Sequence, residues 1–308
     1  MRLLRRQREV RKIEPTFEME IAYIISAYQY PGQLARLISR LEHPGVSFLV
    51  HIDQKAPDSV FQSAVEGTCH LPNVYFLRRY RCFWGGFGHV QATLEGLDEI
   101  FRRDIPFNYV VLLTGQDYPI KTNAYIRNFF TRNQGKSFLH HFPLPTDQWE
   151  DTGLARLENL HLRLLGRRLV IPGKFVPGLR RSRPMGLKPF GGSSYWCLAR
   201  DCIEYVHRFV HENRAFVNWF KTVDVPDEIF FQTILMNSSL AVNLVNDDLR
   251  YMEWPVPDSG SPSILRVEAF ERLIRSPKLF ARKFDASIDA QVLDRIDVAL
   301  EAAGFQDD

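Results

Sequence analysis

The sequence predicts an α/β protein whose central sheet is mostly parallel and covered by helices on both faces. Three observations carry this. Continuous apolar runs rich in β-branched residues recur at Ile21–Ser26, Val46–Ile52 and Tyr109–Leu113, the pattern of strands buried on two faces. Stretches of helical period separate them, and strand–helix–strand order with short links builds parallel sheets. The second and third runs end in polar residues, Asp53 and Gln116-Asp117. Ligands of such sheets bind beyond the carboxyl ends of the strands.

After the first strand, Pro31-Gly32 opens a helix whose buried stripe is Leu34, Leu37, Ile38 and Leu41. Val74–Leu77 is a short further strand, and the helical period returns over Val90–Phe101. Residues 159–200 contain no Asp or Glu but carry nine Lys or Arg among several Pro and Gly. The composition predicts a long, partly irregular surface connection. Gly191-Gly192-Ser193-Ser194-Tyr195-Trp196 reads as a turn and strand, followed by helices near Arg200–Glu212, Asp227–Met236 and Ala290–Ala303. A basic extension over residues 1–18 and one domain over 19–308 is the simplest division.

The chain has 308 residues, 45% hydrophobic and 24% charged, the proportions of an ordinary globular protein. Residues 1–12 hold six cations against Glu9, a net +5, which leaves −2 for the remainder of a +3 chain. That balance argues against a body built to coat nucleic acid. No stretch approaches 18 uninterrupted apolar residues. Cys69, Cys82, Cys197 and Cys202 lack metal-ligand spacing. A cytoplasmic protein is expected, with contact between the basic segments and the inner face of an anionic membrane as an open addition.

Several motifs lead nowhere. Gly135-Lys136-Ser137 ends like a phosphate loop, but Phe130 occupies the place of its first glycine. His140 and His141 are adjacent and point to opposite faces of a strand. His51 and Asp53 share a face, yet two groups rarely hold a metal, so hydrogen bonding is the expectation for Asp53. Two features remain. Val225-Pro226-Asp227-Glu228 precedes an apolar helix, which suits either helix-start chemistry or a general base projecting into a cleft. Lys278, Arg282 and Lys283 lie within six residues, either a solvated surface or a cationic clamp on a diphosphate leaving group.

Six blocks in order then resemble the core-2/I-branching β-1,6-N-acetylglucosaminyltransferases, a family that includes peptide O-xylosyltransferases. They are Val50–Lys55, Trp84-Gly85-Gly86 with Val90-Gln91-Ala92, Leu112–Asn123, Phe190–Trp196, Pro226-Asp227-Glu228 and Leu279–Asp285. The resemblance implies a GT-A-type, Rossmann-like fold and inverting transfer from a UDP-sugar to a glycan, without a divalent metal or other cofactor. It implies Glu228 as catalytic base and Lys283 as phosphate contact, with Arg282 beside it. Asp53 is implied as a nucleotide contact, and Trp84, Gly85 and Asp117 as the border of the donor pocket. Gly192, Ser193, Ser194 and Asp227 are implied on the acceptor side. The family's second phosphate-binding arginine falls where residues 259–263 hold none, so Arg266 or Arg250 is expected instead. GlcNAc is the first choice of sugar and xylose the second, and the acid-free segment suggests an anionic acceptor. A non-catalytic nucleotide-sugar or glycan binder of the same fold is the alternative.

Overall fold

A computed structural model describes residues 19–164, 167–173, 181, 184–255 and 260–307. The basic stretch 1–18 lies outside them. Strands β1 (Ile21–Ala27), β2 (Val46–Ile52), β3 (Val74–Phe76) and β4 (Tyr109–Thr114) are followed by β5 (Asp117–Pro119) and β6 (Ser137–Pro143). A hairpin, β7 (Leu160–Leu164) with β8 (Arg167–Ile171), comes next, then β9 (Phe190–Ala199), β10 (Leu244–Val245), β11 (Arg250–Tyr251) and β12 (Phe280–Arg282). Helices are α1 (Pro31–Leu41), α2 (Asp58–Thr68), α3 (Gly88–Arg102), α4 (Asn123–Arg132), α5 (Ala155–Glu158), α6 (Arg200–Glu212), α7 (Arg214–Phe220), α8 (Phe230–Met236), α9 (Phe270–Arg275) and α10 (Gln291–Asp307).

Seven strands form the main sheet in the order β10-β6-β9-β4-β1-β2-β3. β1 pairs in parallel with β2 and β4, while β9 runs antiparallel to both β4 and β6. The mixed α/β, mostly parallel architecture is therefore as the apolar runs predict. Strand alternation divides the core in two. Ile21, Tyr23 and Ile25 join the α1 stripe Leu34, Leu37, Ile38 and Leu41 on one side. Ala22 and Ile24 face Val90, Leu94 and Leu97 of α3 and Ile203 and Val206 of α6 on the other. Every side chain of β1 except Ser26 is thus buried, which explains the unbroken apolar run.

A second sheet, β11-β12-β5, stands at the carboxyl end of β4 and sets Arg282 opposite Asp117. Two buried polar side chains fasten it to the main sheet. Gln33, in the first turn of α1, donates to the carbonyls of Gly115 (2.9 Å) and Phe284 (3.1 Å) and accepts from the Ala286 amide (2.8 Å). Arg250, 3% exposed, donates to the carbonyls of Leu112 and Asp248 (2.6 Å each) and lies 3.0 Å from Cys197 Sγ. Its guanidinium also covers the Phe280 ring. These contacts keep Arg250 inside the core, so it is no phosphate ligand.

The acid-free segment departs from the expected irregular loop. Its first part is the β7–β8 hairpin, and Arg181 turns inward onto the carbonyls of Asn159, Thr222 and Trp219 and the Trp219 ring. Spacing did not reveal this because the burial is supplied by tertiary partners from residues 219–224. Lys174, Arg180 and Arg183 fall outside the described residues.

Arg250→Leu leaves two buried carbonyls without their donor. We expect it to lower the unfolding free energy by about 2–4 kcal/mol, read from the urea midpoint at unchanged slope. An unmoved midpoint would show that this guanidinium does not join the sheets.

Candidate active site

The expected continuous helix from Asp227 to Met236 is broken. Pro226–Glu228 forms its own 3₁₀ turn, Ile229 has φ −131°, and α8 starts at Phe230. The cause lies one residue upstream. Val225 has φ 45° and ψ 55°, a left-handed conformation that costs a β-branched residue on the order of 1–3 kcal/mol. Its amide donates to the Gly85 carbonyl (2.9 Å), and the Asp224 amide to Arg156 O (3.1 Å). The Asp224 carboxylate is buried and accepts from Arg163 (2.9 Å) and Arg168 (2.6 Å) of the hairpin. Gly85, φ +64°, fits beneath this turn because a Cβ there would lie 2.7 Å from Arg163 Nη2. The turn carrying Asp227 and Glu228 is thereby held from three directions.

Glu228 keeps 31% of its side chain exposed and accepts a hydrogen bond from Arg156 Nη1 (2.7 Å). The Arg156 guanidinium rests on the Trp149 ring, 3.8 Å from its centroid. Burial first, and the neighbouring Asp227 second, push the Glu228 carboxyl up to about 7, with Arg156 opposing them. A carboxyl titrating there is matched to proton transfer near neutral pH. Asp227 Oδ2 accepts from Ser194 Oγ (2.8 Å), and Gln232 of α8 donates to the Ser193 carbonyl (2.6 Å). At Gly192 a Cβ would lie 1.8 Å from His140 O, so only glycine lets β9 approach β6 where their register shifts.

On the other side of β9, Tyr195 lies under Arg282, whose Cζ is 4.0 Å from the ring centroid. Arg282 Nε is 4.0 Å from Asp117 Oδ1. Asp117 is fully buried, and its Oδ2 accepts from the Thr114 amide and hydroxyl (2.6 Å each). Asp117 Oδ1 and Arg282 Nε and Nη1 are buried with no hydrogen-bond partner among the described residues. Lys283, next along, reaches out to Ser261 Oγ (2.6 Å). Burial and the adjacent Arg282 make the Lys283 ammonium a readier proton donor than usual. Ser194 and Tyr195 are consecutive in the middle of β9, so that strand touches the Asp227-Glu228 turn through one residue and Arg282 of β12 through the next.

The remaining expected residues are more dispersed. Asp53 is buried at the end of β2; its Oδ1 accepts from the Lys55 amide (2.8 Å) and the Cys82 amide (3.4 Å), bracing that turn. His51 Nε2 accepts from the Tyr80 amide (3.0 Å), and burial drops the imidazole to about 4. Trp84 is 66% exposed beside buried Gly85. Arg266 is exposed, and the Leu265 amide before it bonds to Lys283 O (2.9 Å). Arg156, Arg163, Arg168, Asp224 and Gln232 were not singled out for this site. An acid-free, arginine-rich segment was the visible signal for the hairpin pair, but its partner Asp224 is remote in sequence.

The profile of the Core-2/I-branching enzyme family matches residues 21–274. The chain belongs to that family. Among its relatives, mouse xylosyltransferase 2 is 28% identical over 307 residues, covering 92% of this chain and 34% of the relative. Human N-acetyllactosaminide β-1,6-N-acetylglucosaminyl-transferase is 26% identical over 284 residues, covering 86% and 68% respectively. Drosophila melanogaster xylosyltransferase oxt is 24% identical, with 91% and 33% covered. The chain therefore spans about a third of the length of the xylosyltransferases it matches.

For this Core-2/I-branching family member, the raised Glu228 pKa links stability to pH. The folded carboxyl holds its proton up to about 7, the unfolded one only to about 4.5. Stability therefore falls as pH rises from 4.5 through 7 and stays at the lower level above. Glu228→Gln, neutral throughout, should match or trail the wild type at pH 4.5 and gain on it steadily to pH 8. The relative gain is at most about 3 kcal/mol, less for the solvent reaching the side chain. Urea unfolding at several pH values measures it; a gap independent of pH would refute the buried-charge account.

Proposed function

We propose that the protein is an inverting, metal-independent glycosyltransferase of GT-A type that transfers a sugar from a UDP-sugar to a glycan hydroxyl, forming a β-linkage. GlcNAc is the first choice of sugar and xylose the second, and both occur in the names of the relatives. The observation that carries the reading is Glu228, a carboxyl titrating near 7 on a turn bonded to Ser194 of β9, with the next residue of that strand, Tyr195, under Arg282.

The acceptor hydroxyl gives its proton to the Glu228 carboxylate as its oxygen bonds to the sugar C1. The bond from C1 to the diphosphate breaks, and its electron pair leaves with UDP. Attack opposite the leaving group turns an α-linked donor into a β-linked product. Lys283 offsets the charge that develops on the diphosphate, while Arg282 sits inward on Asp117 and Tyr195. Metal independence is supported by chemistry at Asp117. One of its oxygens is taken by Thr114 and the other faces Arg282, so positive charge at this strand end comes from side chains. The exposed indole of Trp84 offers an apolar face to a sugar ring.

An anionic acceptor has support next to this turn. A cavity of about 330 Å³ is lined by Arg81, Arg163, Lys221 and His161 among others, with no acidic side chain among the described residues of its wall. Membrane contact by residues 1–12 rests on their charge alone, and salt-dependent vesicle binding tests it.

Calorimetric titration with UDP, UDP-GlcNAc and UDP-xylose in EDTA should give binding of UDP and of one donor. Silence from all three, persisting with manganese, would end the transferase reading. Glu228→Gln should lower transfer by on the order of 10²–10⁴ while UDP affinity stays within a few-fold; parallel loss of both would make Glu228 structural. Lys283→Met should weaken UDP binding as well as transfer. Because a base must be deprotonated, the wild-type rate should rise with pH through about 7. Arg156→Ala removes the charge that lowers the Glu228 pKa, so this limb should move to higher pH. A limb that stays in place would remove Arg156 from control of the base.

A further inference from the structure

Away from the strand ends, α3 and α6 pack side by side on one face of the sheet. Asp98 lies in the later half of α3. His207 and His211 stand one turn apart on α6, so both rings leave the same face of that helix. Nε2 of His207 is 3.2 Å from Asp98 Oδ1, and Nε2 of His211 is 3.3 Å from that same oxygen. Each of the three residues offers a ligand atom within 4.8 Å of the other two.

These separations match a metal polyhedron. Zinc bound to imidazole nitrogen and carboxylate oxygen at about 2.0–2.1 Å in a tetrahedron holds its ligand atoms about 3.3 Å apart. Both nitrogen-to-oxygen distances, 3.2 and 3.3 Å, are close to that edge. Two imidazoles and one carboxylate are also a ligand set that zinc favours, with a fourth position left to water. The side chains of Asp98 and His211 are 48% and 38% exposed, which gives an ion a way in. His207 is more enclosed, and its ring stacks on Phe101 with centroids 4.1 Å apart. That contact fixes the plane of one ligand before any ion arrives.

We propose that Asp98, His207 and His211 form a binding site for a divalent transition metal, zinc foremost, that staples α3 to α6. The site belongs to the helical layer. Asp98 is ten residues along α3 from Gly88, about 15 Å at the helical rise, and Gly88 directly follows the Trp84–Phe87 turn. An ion here acts on the stability of the scaffold and does not touch Glu228 or Lys283.

The test uses the full chain without a polyhistidine tag, stripped with a chelator. It is titrated with zinc chloride by calorimetry and with cobalt(II) by visible absorption. One equivalent of zinc should bind, cobalt should give the intense bands of a tetrahedral site, and zinc should raise the thermal unfolding midpoint. Asp98→Asn and His211→Ala change exposed ligands and should fold normally by circular dichroism. Each should weaken zinc binding by at least the 10–100-fold, in order of magnitude, that loss of an outer-shell partner costs, and each should abolish the thermal shift. No binding at submillimolar zinc, or one equivalent bound equally well by both variants, would overturn the site.

Discussion

The candidate site depends on one buried carboxylate, Asp224. It sits beside Val225, whose left-handed backbone is unfavourable in isolation, and it is clamped by Arg163 and Arg168 from the β7–β8 hairpin. Backbone hydrogen bonds to Gly85 and Arg156 close the remaining directions. A strained residue persists where its surroundings over-determine it, and here three separate segments do so. The result is a short turn that ends before α8 begins and sets Asp227 against Ser194, midway along β9. Without that break the two acids would be the first residues of a helix and would serve its dipole.

The same contacts explain the electrostatics. A buried carboxylate with two arginines is neutralised locally, so Asp224 adds little repulsion at Glu228 compared with burial and Asp227. Arg156 is different: one guanidinium meets Glu228, covers Trp149 and uses its own carbonyl to hold the Asp224 amide. Position of the turn and protonation of its carboxyl are therefore coupled through one residue. On the opposite side of β9 the design is the reverse, since cations there face a carboxylate, Asp117, one of whose oxygens is already engaged by Thr114.

Much of the frame was legible in the sequence because burial on two faces leaves unbroken apolar runs. β1, β2, β4, α1, α3 and α6 each lie within a few residues of where the pattern puts them. What escaped was set by contacts distant in sequence. The hairpin reads as a charged loop because Asp224, its partner, lies over fifty residues away. The helix predicted over Asp227–Met236 breaks because Gly85, from another segment, holds the Val225 amide. Arg250 is, in sequence, one of two candidates for a phosphate contact, but its partners are carbonyls, which no sequence pattern reports. Motif blocks single out Glu228, Arg282 and Lys283 as candidates. Arg156, which carries no motif, becomes visible only in three dimensions.

The arrangement also constrains what can be exchanged. Ser194 and Tyr195 are neighbours on β9, yet strand alternation sends one to Asp227 and the other beneath Arg282. A shift of β9 by one residue would swap these faces and dissolve both contacts at once. The close approach at Gly192, where the Cβ of any other residue would meet the His140 carbonyl, excludes the slip that would bring Ser193 to this point. Glycine at this position, placed on the acceptor side by the sequence resemblance, thus has a role that precedes any ligand. It helps set the strand that carries Ser194 and Tyr195.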